Sequence, residues 1–504
     1  MALTKAHPRM IEGIPVSVLD FGADRTGTST SHSEIQDAIN HASANGKAVY
    51  IPGGDYKIAG MITVPDYITI YGDGPETRLF RDTSVSTFDM IEIKNTAHIS
   101  LKDFLIDGVE KLDNGTAANR YCGVRIWSDG GVSPNDIEVI GVHINFTTSG
   151  EQQTEGNRAA LMLEDCYDVR VSRCKFYGNR SAAIMISSKP PKVGPPYTTF
   201  QIQIEQCWGI GEQYPYDPSF PTGFGSFITG NQFEDVIISG CFCKDFGFTN
   251  ISLNGHRQTV QNCISIDSDY AGITLGHSTE GSRPEEVIAQ GNICVNNGQA
   301  GITVSSAENV VIANNVLTGN CVTNTADAQI EIRWDANYVA NEAQKISITD
   351  NQLADSKGVG ILCEVGTDLF ISGNSIHDGE LAGIYLTEKN ATEVMSAFIT
   401  NNYIKDNGTG TRSAIEVNSD PEAGTRGQVN ALCMNNTIYS SDISTKQGMG
   451  ITAVGSLADV QVHENWFSTG YVGTLNTNFG ARNTKAFNAF SSGTLTLSTR
   501  LLTP

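Results

Sequence analysis

The side chains best suited to chemistry fall in one short stretch. Glu331, Arg333 and Asp335 alternate along a single extended segment, and Glu364 occupies the matching place in the next repeat of the chain. Alternate residues of a strand share a face, so these ionisable groups should project together on the outward side. Glu364 lies diagonal to both Glu331 and Asp335, at a Cα separation of about 8 Å from the rise along a strand and the spacing between strands. Paired carboxyl groups are the usual equipment for cleaving a glycosidic bond. Inverting enzymes hold them roughly 6.5 to 9.5 Å apart, with room for a water, and retaining enzymes about 5 Å apart. A neighbouring carboxylate raises the pKa of one member and keeps a proton available. Arg333 would lower its partner's and preserve a base. Trp334 adjoins the set and offers a face on which a sugar ring could stack. The competing reading is an exposed ladder of Glu, Arg and Asp ion pairs, which contributes little stability. Localisation favours chemistry, because the equivalent outward positions elsewhere are mostly Ser, Thr and Asn.

The elements that position these groups announce themselves as a repeat. Short Ile-led strands recur from Ile184-Met185-Ile186 to Ile415-Glu416-Val417, most of them following Gly or Ala. Between them runs a second strand ending in a small polar residue: Asn262, Asn292, Asn315, Asn351, Asn374, Asn402, Asn436 and Asn465, at spacings of 23 to 36 residues. A period of roughly 20 to 50 residues in short alternating strands specifies a solenoid of stacked turns. The fold class is all-β, a right-handed single-stranded parallel β-helix. The Asn column supports the coils, and earlier turns put Cys174, Cys207 and Cys241 in its place as small buried fillers. A second column, Asp245, Asp267, Asp355, Asp378 and Asp406, reads as turn chemistry. Before the repeat, Ser33 to Ala44 carries Ile35, Ala38, Ile39 and Ala42 at helical spacing, a helix that would cap the first coil's open edge.

Composition narrows the remaining choices. A formal net charge of −22 makes nucleic acid a poor partner, since phosphate binding needs clustered Lys and Arg. The 11 Cys, odd in number and at strand or turn positions, argue for free thiols over a disulfide framework. No spacing suits a metal, and neither metal nor cofactor is expected. No apolar run is long enough to span a membrane and no signal peptide is evident. Proline-rich interruptions between Lys189 and Gly230 should be long loops, whose Tyr214, Tyr216 and Phe220 would wall the outward face. Trp127 and Tyr385 occupy outward register positions and, with His256 and Arg257, join them as substrate-binding candidates.

Three segments carry a resemblance. Asp20-Phe21-Gly22-Ala23 with its following helix, and Ile51-Pro52-Gly53-Gly54-Asp55-Tyr56, resemble the start of pectate-lyase-like β-helix proteins, a superfamily that includes polygalacturonases and phage tailspikes. Lys5-Ala6-His7-Pro8-Arg9-Met10 running into Ile14-Pro15-Val16 looks like the linker joining a virion-attachment region to the β-helix of tailspike depolymerases. The resemblance covers the first 60 residues by motif and the rest by repeat architecture. The Asn-Thr-Asp, Asp-Asp, Gly-His-Gly and Arg-Ile-Lys set of the polygalacturonases is missing; only Gly255-His256-Arg257 and Gly276-His277-Ser278 come near it.

The resemblance therefore implies a tailspike depolymerase that cleaves a bacterial surface polysaccharide (capsule, O-antigen or exopolysaccharide) by hydrolysis. It further implies a homotrimer acting outside the host cell on a virion tail; the short N-terminus leaves no room for a head-binding domain, so either an adaptor or tail protein makes the attachment or an N-terminal virion-binding domain has been removed. The expected organisation is a linker and cap over 1–60, the β-helix over 61–470, and a terminal cap or trimer contact over 471–504. Two other functions stay open. A lyase would use His256, Arg257 or His277 as base and cation, and an adhesin would bind glycan on the same solenoid without cleaving it.

Overall fold

A computed structural model describes residues 14–85, 88–108, 122–145, 159–179, 182–188, 198–211, 225–276, 284–334, 343–389, 394–408, 413–419, 427–441, 449–454, 458–467 and 489–490. The chain divides into two units, Met1–Phe248 and Thr249–Pro504. Each is a run of coils of a right-handed parallel β-helix, and the described pairings between strands are parallel.

In the first unit, Ile35, Ala38, Ile39 and Ala42 are fully buried on one face of the helix His32–Ala44. That face packs against the first strands, Val16–Ser17 and Val49–Tyr50. The expected cap is present and begins one residue earlier than its apolar spacing suggests.

In the second unit the Ile-led strands stack in the expected register. Ile251 pairs with Ile273, Ile273 with Ile302, Ile302 with Ile330, Ile330 with Ile361, Ile361 with Ile384 and Ile384 with Ile415. Every one of these isoleucines is buried. The Gly that precedes several of them has a steric cause. A Cβ on Gly360 would meet the Gly383 carbonyl oxygen at 2.4 Å and Ile376 Cγ2 at 2.6 Å, so the next coil's backbone leaves space only for hydrogen.

From Ile273 onward each described coil has three strands where the sequence showed two. After Ala328–Arg333 come Gln344–Thr349 and then Gln352–Ala354, and the following coil repeats this as Val359–Cys363, Thr367–Ser372 and Ser375–His377. The third strand is only three residues long, too short for alternation to register. Between the second and third strands stands the Asn column. Asn292, Asn315, Asn351, Asn374, Asn402, Asn436 and Asn465 are all buried. Each amide Oδ1 from Asn315 onward accepts both the backbone N–H and the Nδ2 of the Asn one coil earlier, at 2.8 to 3.1 Å. The second Nδ2 hydrogen goes to a backbone carbonyl, as from Asn351 to Ile312 at 2.9 Å. All four hydrogen-bonding capacities of the amide are thus used. Asn262 is the exception. It takes positive φ (54°) just before the column, and Cys263 holds the ladder position, its N–H donating to Asn292 Oδ1 at 3.0 Å.

In the first unit Cys174, Cys207 and Cys241 do occupy the equivalent place, their thiols facing backbone carbonyls such as Val139 at 3.3 Å. All 11 cysteines are free and buried. Burial pushes thiols such as Cys321 and Cys433 up to about 12. The Asp column is turn structure, as its repetition indicated. Asp245, Asp267, Asp355, Asp378 and Asp406 all adopt φ between 51° and 60° at the end of a third strand, a conformation that Asp tolerates and β-branched residues do not.

Candidate functional site

The strand Ala328–Arg333 directs Ile330 and Ile332 into the core, which turns Glu331 and Arg333 outward. Glu331 lies in register between Thr303 on one neighbouring strand and Leu362 on the other. Thr303 Oγ1 donates to Glu331 Oε2 at 3.4 Å. Glu364 follows the next strand, Val359–Cys363, with its N–H on the Ile332 carbonyl at 2.9 Å. That register keeps Glu331 and Glu364 on the expected diagonal.

The environment differs from the solvent-facing one that alternation suggests. Glu331 is 3% exposed and Glu364 8%, although both leave the sheet on its outer side. Alternation fixes the direction of a side chain and says nothing of what lies over it. Part of the surroundings is apolar: Ala328, Val359 and Leu362 form a buried cluster against which Leu381 and Tyr385 pack.

Burial gives the carboxyl groups distinct characters. Desolvation raises Glu331 from 4.5 to about 7, reinforced by the charges of Asp327 and Glu364 and opposed by Arg333 and Thr303. Glu364 instead carries an ion pair with Lys389, and Trp334 N–H points at its Oε2 from 3.4 Å. Asp327 is a third carboxylate in the same field, and alternation counted forward from Ile330 passed over it. It precedes the strand by one residue, accepts from Asn324 Nδ2 at 3.0 Å, and has its Oδ2 buried without a hydrogen-bond partner. Burial again raises its pKa, with Arg333 and Asn324 opposing and Glu364 assisting. Its sequence signal was an Asp four residues before Glu331.

The remaining candidates are distributed as follows. Arg333 is exposed and Trp334 half-buried, both beside the carboxyl cluster. Tyr385 is half-buried in the same outward column, opposite Leu362, and its hydroxyl accepts from Asn418 Nδ2 at 3.0 Å. Asp335, Tyr214, Tyr216, Phe220 and His277 lie outside the described residues. His256 and Arg257 sit on the strand Ile251–Gln261, three coils from Glu331 and thus about 14 Å along the axis. His256 is buried and Arg257 takes φ 49°, so this pair does not join the cluster. Trp127 belongs to the first unit. There its Nε1 donates to Glu92 at 2.9 Å, and Arg125 and Lys94 lie 4.0 and 4.6 Å from its ring centroid. Among the described residues no group of His, Cys, Asp and Glu is arranged to hold a metal ion.

Comparison with known proteins places this architecture. Residues 15–154 match the family described as rhamnogalacturonase A/epimerase, pectate lyase-like, and residues 334–494 match the right-handed β-helix region. The fold is therefore that of a right-handed β-helix, with pectate-lyase-like sequence over its N-terminal part. No curated protein matches the sequence. Among solved structures, the surface adhesin PfbA of Streptococcus pneumoniae is similar over 86% of this chain and 94% of its own, at 16% identity and a TM-score of 0.50. Tailspike protein 3 of bacteriophage CBA120 aligns over 96% of this chain and 62% of its own, at 12% identity and a TM-score of 0.48. The catalytic unit of a GH87 α-1,3-glucanase from Streptomyces thermodiastaticus aligns over 92% and 70%, at 17% identity and a TM-score of 0.42. At these identities the likeness concerns the fold.

Proposed function

We propose that the protein is a polysaccharide depolymerase that hydrolyses a glycosidic bond, with Glu331 as general acid. The observation that carries this reading is a buried, outward-facing carboxyl group, whose desolvation raises its pKa to about 7, set beside an ion-paired carboxylate on the next coil. Hydrolysis needs this asymmetry, one carboxyl protonated to donate to the leaving oxygen and one charged to activate water or attack carbon. Glu364 takes the second role, oriented by Lys389 and the Trp334 N–H. Asp327 supports Glu331, since its nearby charge favours the protonated form. Arg333 acts at the rim, Trp334 and Tyr385 contact the sugar, and Asp335, adjacent to Trp334 in sequence, is a further acid or base candidate. The match of residues 15–154 to a pectate-lyase-like family supports a polysaccharide substrate.

The direct test is incubation with purified capsular, O-antigen and exopolysaccharides, followed by mass analysis of the products. Saturated fragments released by the parent and lost in Glu331→Gln and Glu364→Gln support hydrolysis. An unsaturated uronic product would replace it with β-elimination, and binding without fragments would leave an adhesin. The setting we propose is a phage tail, with the protein acting as a homotrimeric tailspike held by an adaptor and working on the bacterial surface. Self-association has a candidate surface in the second unit, where Val311, Phe370 and Phe398 stand exposed on the outer side of the middle strands. A monomeric mass by light scattering at micromolar concentration would remove the trimer.

A further inference from the structure

The third strands of the first unit build an outward face unlike the polar surface around it. His143–Asn145, Lys175–Tyr177, Trp208–Ile210 and Phe242–Lys244 are successive parallel strands in direct register. Their outward residues form two columns: His143, Lys175, Trp208 and Phe242, and alongside them Asn145, Tyr177, Ile210 and Lys244. Neither column contains a carboxylate, in a chain where acidic residues number 55 against 33 basic ones. Trp208 is 46% exposed and Tyr177 44%. Singly exposed aromatic side chains are ordinary, but grouped on adjacent coils they make a patch of the kind that marks a binding surface.

The face is also preorganised. Phe242 packs edge-on to Trp208 with ring centroids 4.9 Å apart, which holds the indole in place without covering both its faces. Lys175 Nζ lies 6.0 Å from the same ring and forms no ion pair among the described residues. Lys244 is 3.6 Å from Asp245, a loose pair at the margin of the face. His143 is half-buried, and burial together with the Lys175 charge lowers its pKa while Asp103 opposes. The cations standing on the face are Lys175 and Lys244, while Asp107 of the preceding coil, in register with Asn145, is ion-paired to Arg78. At physiological salt, charges beyond about 8 Å are screened, so the local cations decide what binds.

We propose that this face is a second, non-catalytic site that binds an anionic polysaccharide. Sugar C–H faces stack on Trp208 and Tyr177, and uronate, sulfate or other acidic substituents meet Lys175 and Lys244. Successive coils are spaced about 4.8 Å apart, so an extended saccharide lying along the columns meets an aromatic or a cation at each coil. The site comprises none of the residues assigned to cleavage, so it stands whether or not the carboxyl cluster hydrolyses anything.

Affinity electrophoresis of the full chain through gels containing polygalacturonate, alginate or heparin tests this, with dextran as the neutral control. Retardation by at least one acidic polymer is expected, with little by dextran and weakening as salt rises. Trp208→Ala and Lys175→Glu should each weaken retention several-fold, on the order of two- to ten-fold for the aromatic and up to about five-fold for the charge, with unchanged circular dichroism because both side chains are exposed. Absence of retardation in all three acidic gels overturns the proposal, as does equal retardation by dextran. Unaltered retention in both variants also overturns it. If Trp208→Ala instead changes the particle mass, the face is a contact between copies and not a glycan site.

Discussion

Replacing Glu331 by Gln should make the protein inactive and, above neutrality, more stable. The carboxyl group titrates at 4.5 in an ordinary setting and at about 7 in the fold. Below about pH 4.5 it is protonated in folded and unfolded chains alike and contributes no difference. As pH rises from there to about 7 the unfolded chain gives up its proton while the folded one retains it, so stability falls with pH. Above about 7 the full cost of a buried charge applies. A shift of this size corresponds to about 3 kcal/mol, at about 1.4 kcal/mol per unit. Gln keeps the shape and cannot ionise, so its advantage over the parent should be absent near pH 4.5 and approach about 3 kcal/mol at pH 8. For a cooperative unit of roughly 250 residues the unfolding entropy is about 0.5 kcal/mol/K, which makes this a melting shift of about 6 °C. Thermal unfolding of parent and variant by circular dichroism at both pH values is the assay. The difference between the two pH values is the informative quantity, because any fixed effect of the amide cancels. An equal shift at both, or none at pH 8, would mean that Glu331 ionises normally and that its assignment as the acid is wrong.

Further expectations follow from the same geometry. Depolymerising activity of the parent should fall as pH rises through about 7, because the general acid must be protonated, and a pH–rate profile measures this directly. Asp327→Asn removes a charge that raises Glu331, so the alkaline limb of that profile should move to lower pH while product identity stays the same. Lys389→Met leaves the buried Glu364 without its ion pair and should reduce kcat by about 10-fold or more with a smaller effect on KM; equal values of both would remove Glu364 from the chemistry. Asn351→Ala strips the acceptor from two buried donors of Asn315 and should cost several kcal/mol, read as a lower melting temperature.

The parts of this fold that the sequence discloses are those enforced by repetition. Ile330 and Ile361 announce their strands because both must fill the same interior slot, and Asn351 and Asn374 announce their column because each needs the other's amide. Third strands such as Gln352–Ala354 stayed hidden because three residues cannot display a period. Asn262 was misplaced by one position because Gln261-Asn262-Cys263 offers two small polar residues, and only backbone φ reveals which one turns the chain. At the site, Glu331, Arg333 and Glu364 were recoverable from outward register. Their burial was not, since it arises from whatever covers the coil and not from the strand that bears them. Asp327 escaped because it precedes the strand, where alternation no longer assigns a face.

The Asn ladder has a direction, and the direction governs how coils are added. Every rung from Asn292 to Asn436 donates toward the C-terminal neighbour through both its backbone N–H and its Nδ2, and receives on its Oδ1 only from the N-terminal side, at the first rung from the Cys263 N–H alone. A growing stack therefore ends in two unmatched donors. A single amide oxygen at one height of the next coil can quench both. A coil docked one residue out of phase presents a turn residue there and strands the pair in a dry interior, at roughly 1–3 kcal/mol for each donor. The ladder thus acts as a vectorial proofreading template. Each completed turn inspects the register of its successor, a check that loops of unequal length between strands could not supply.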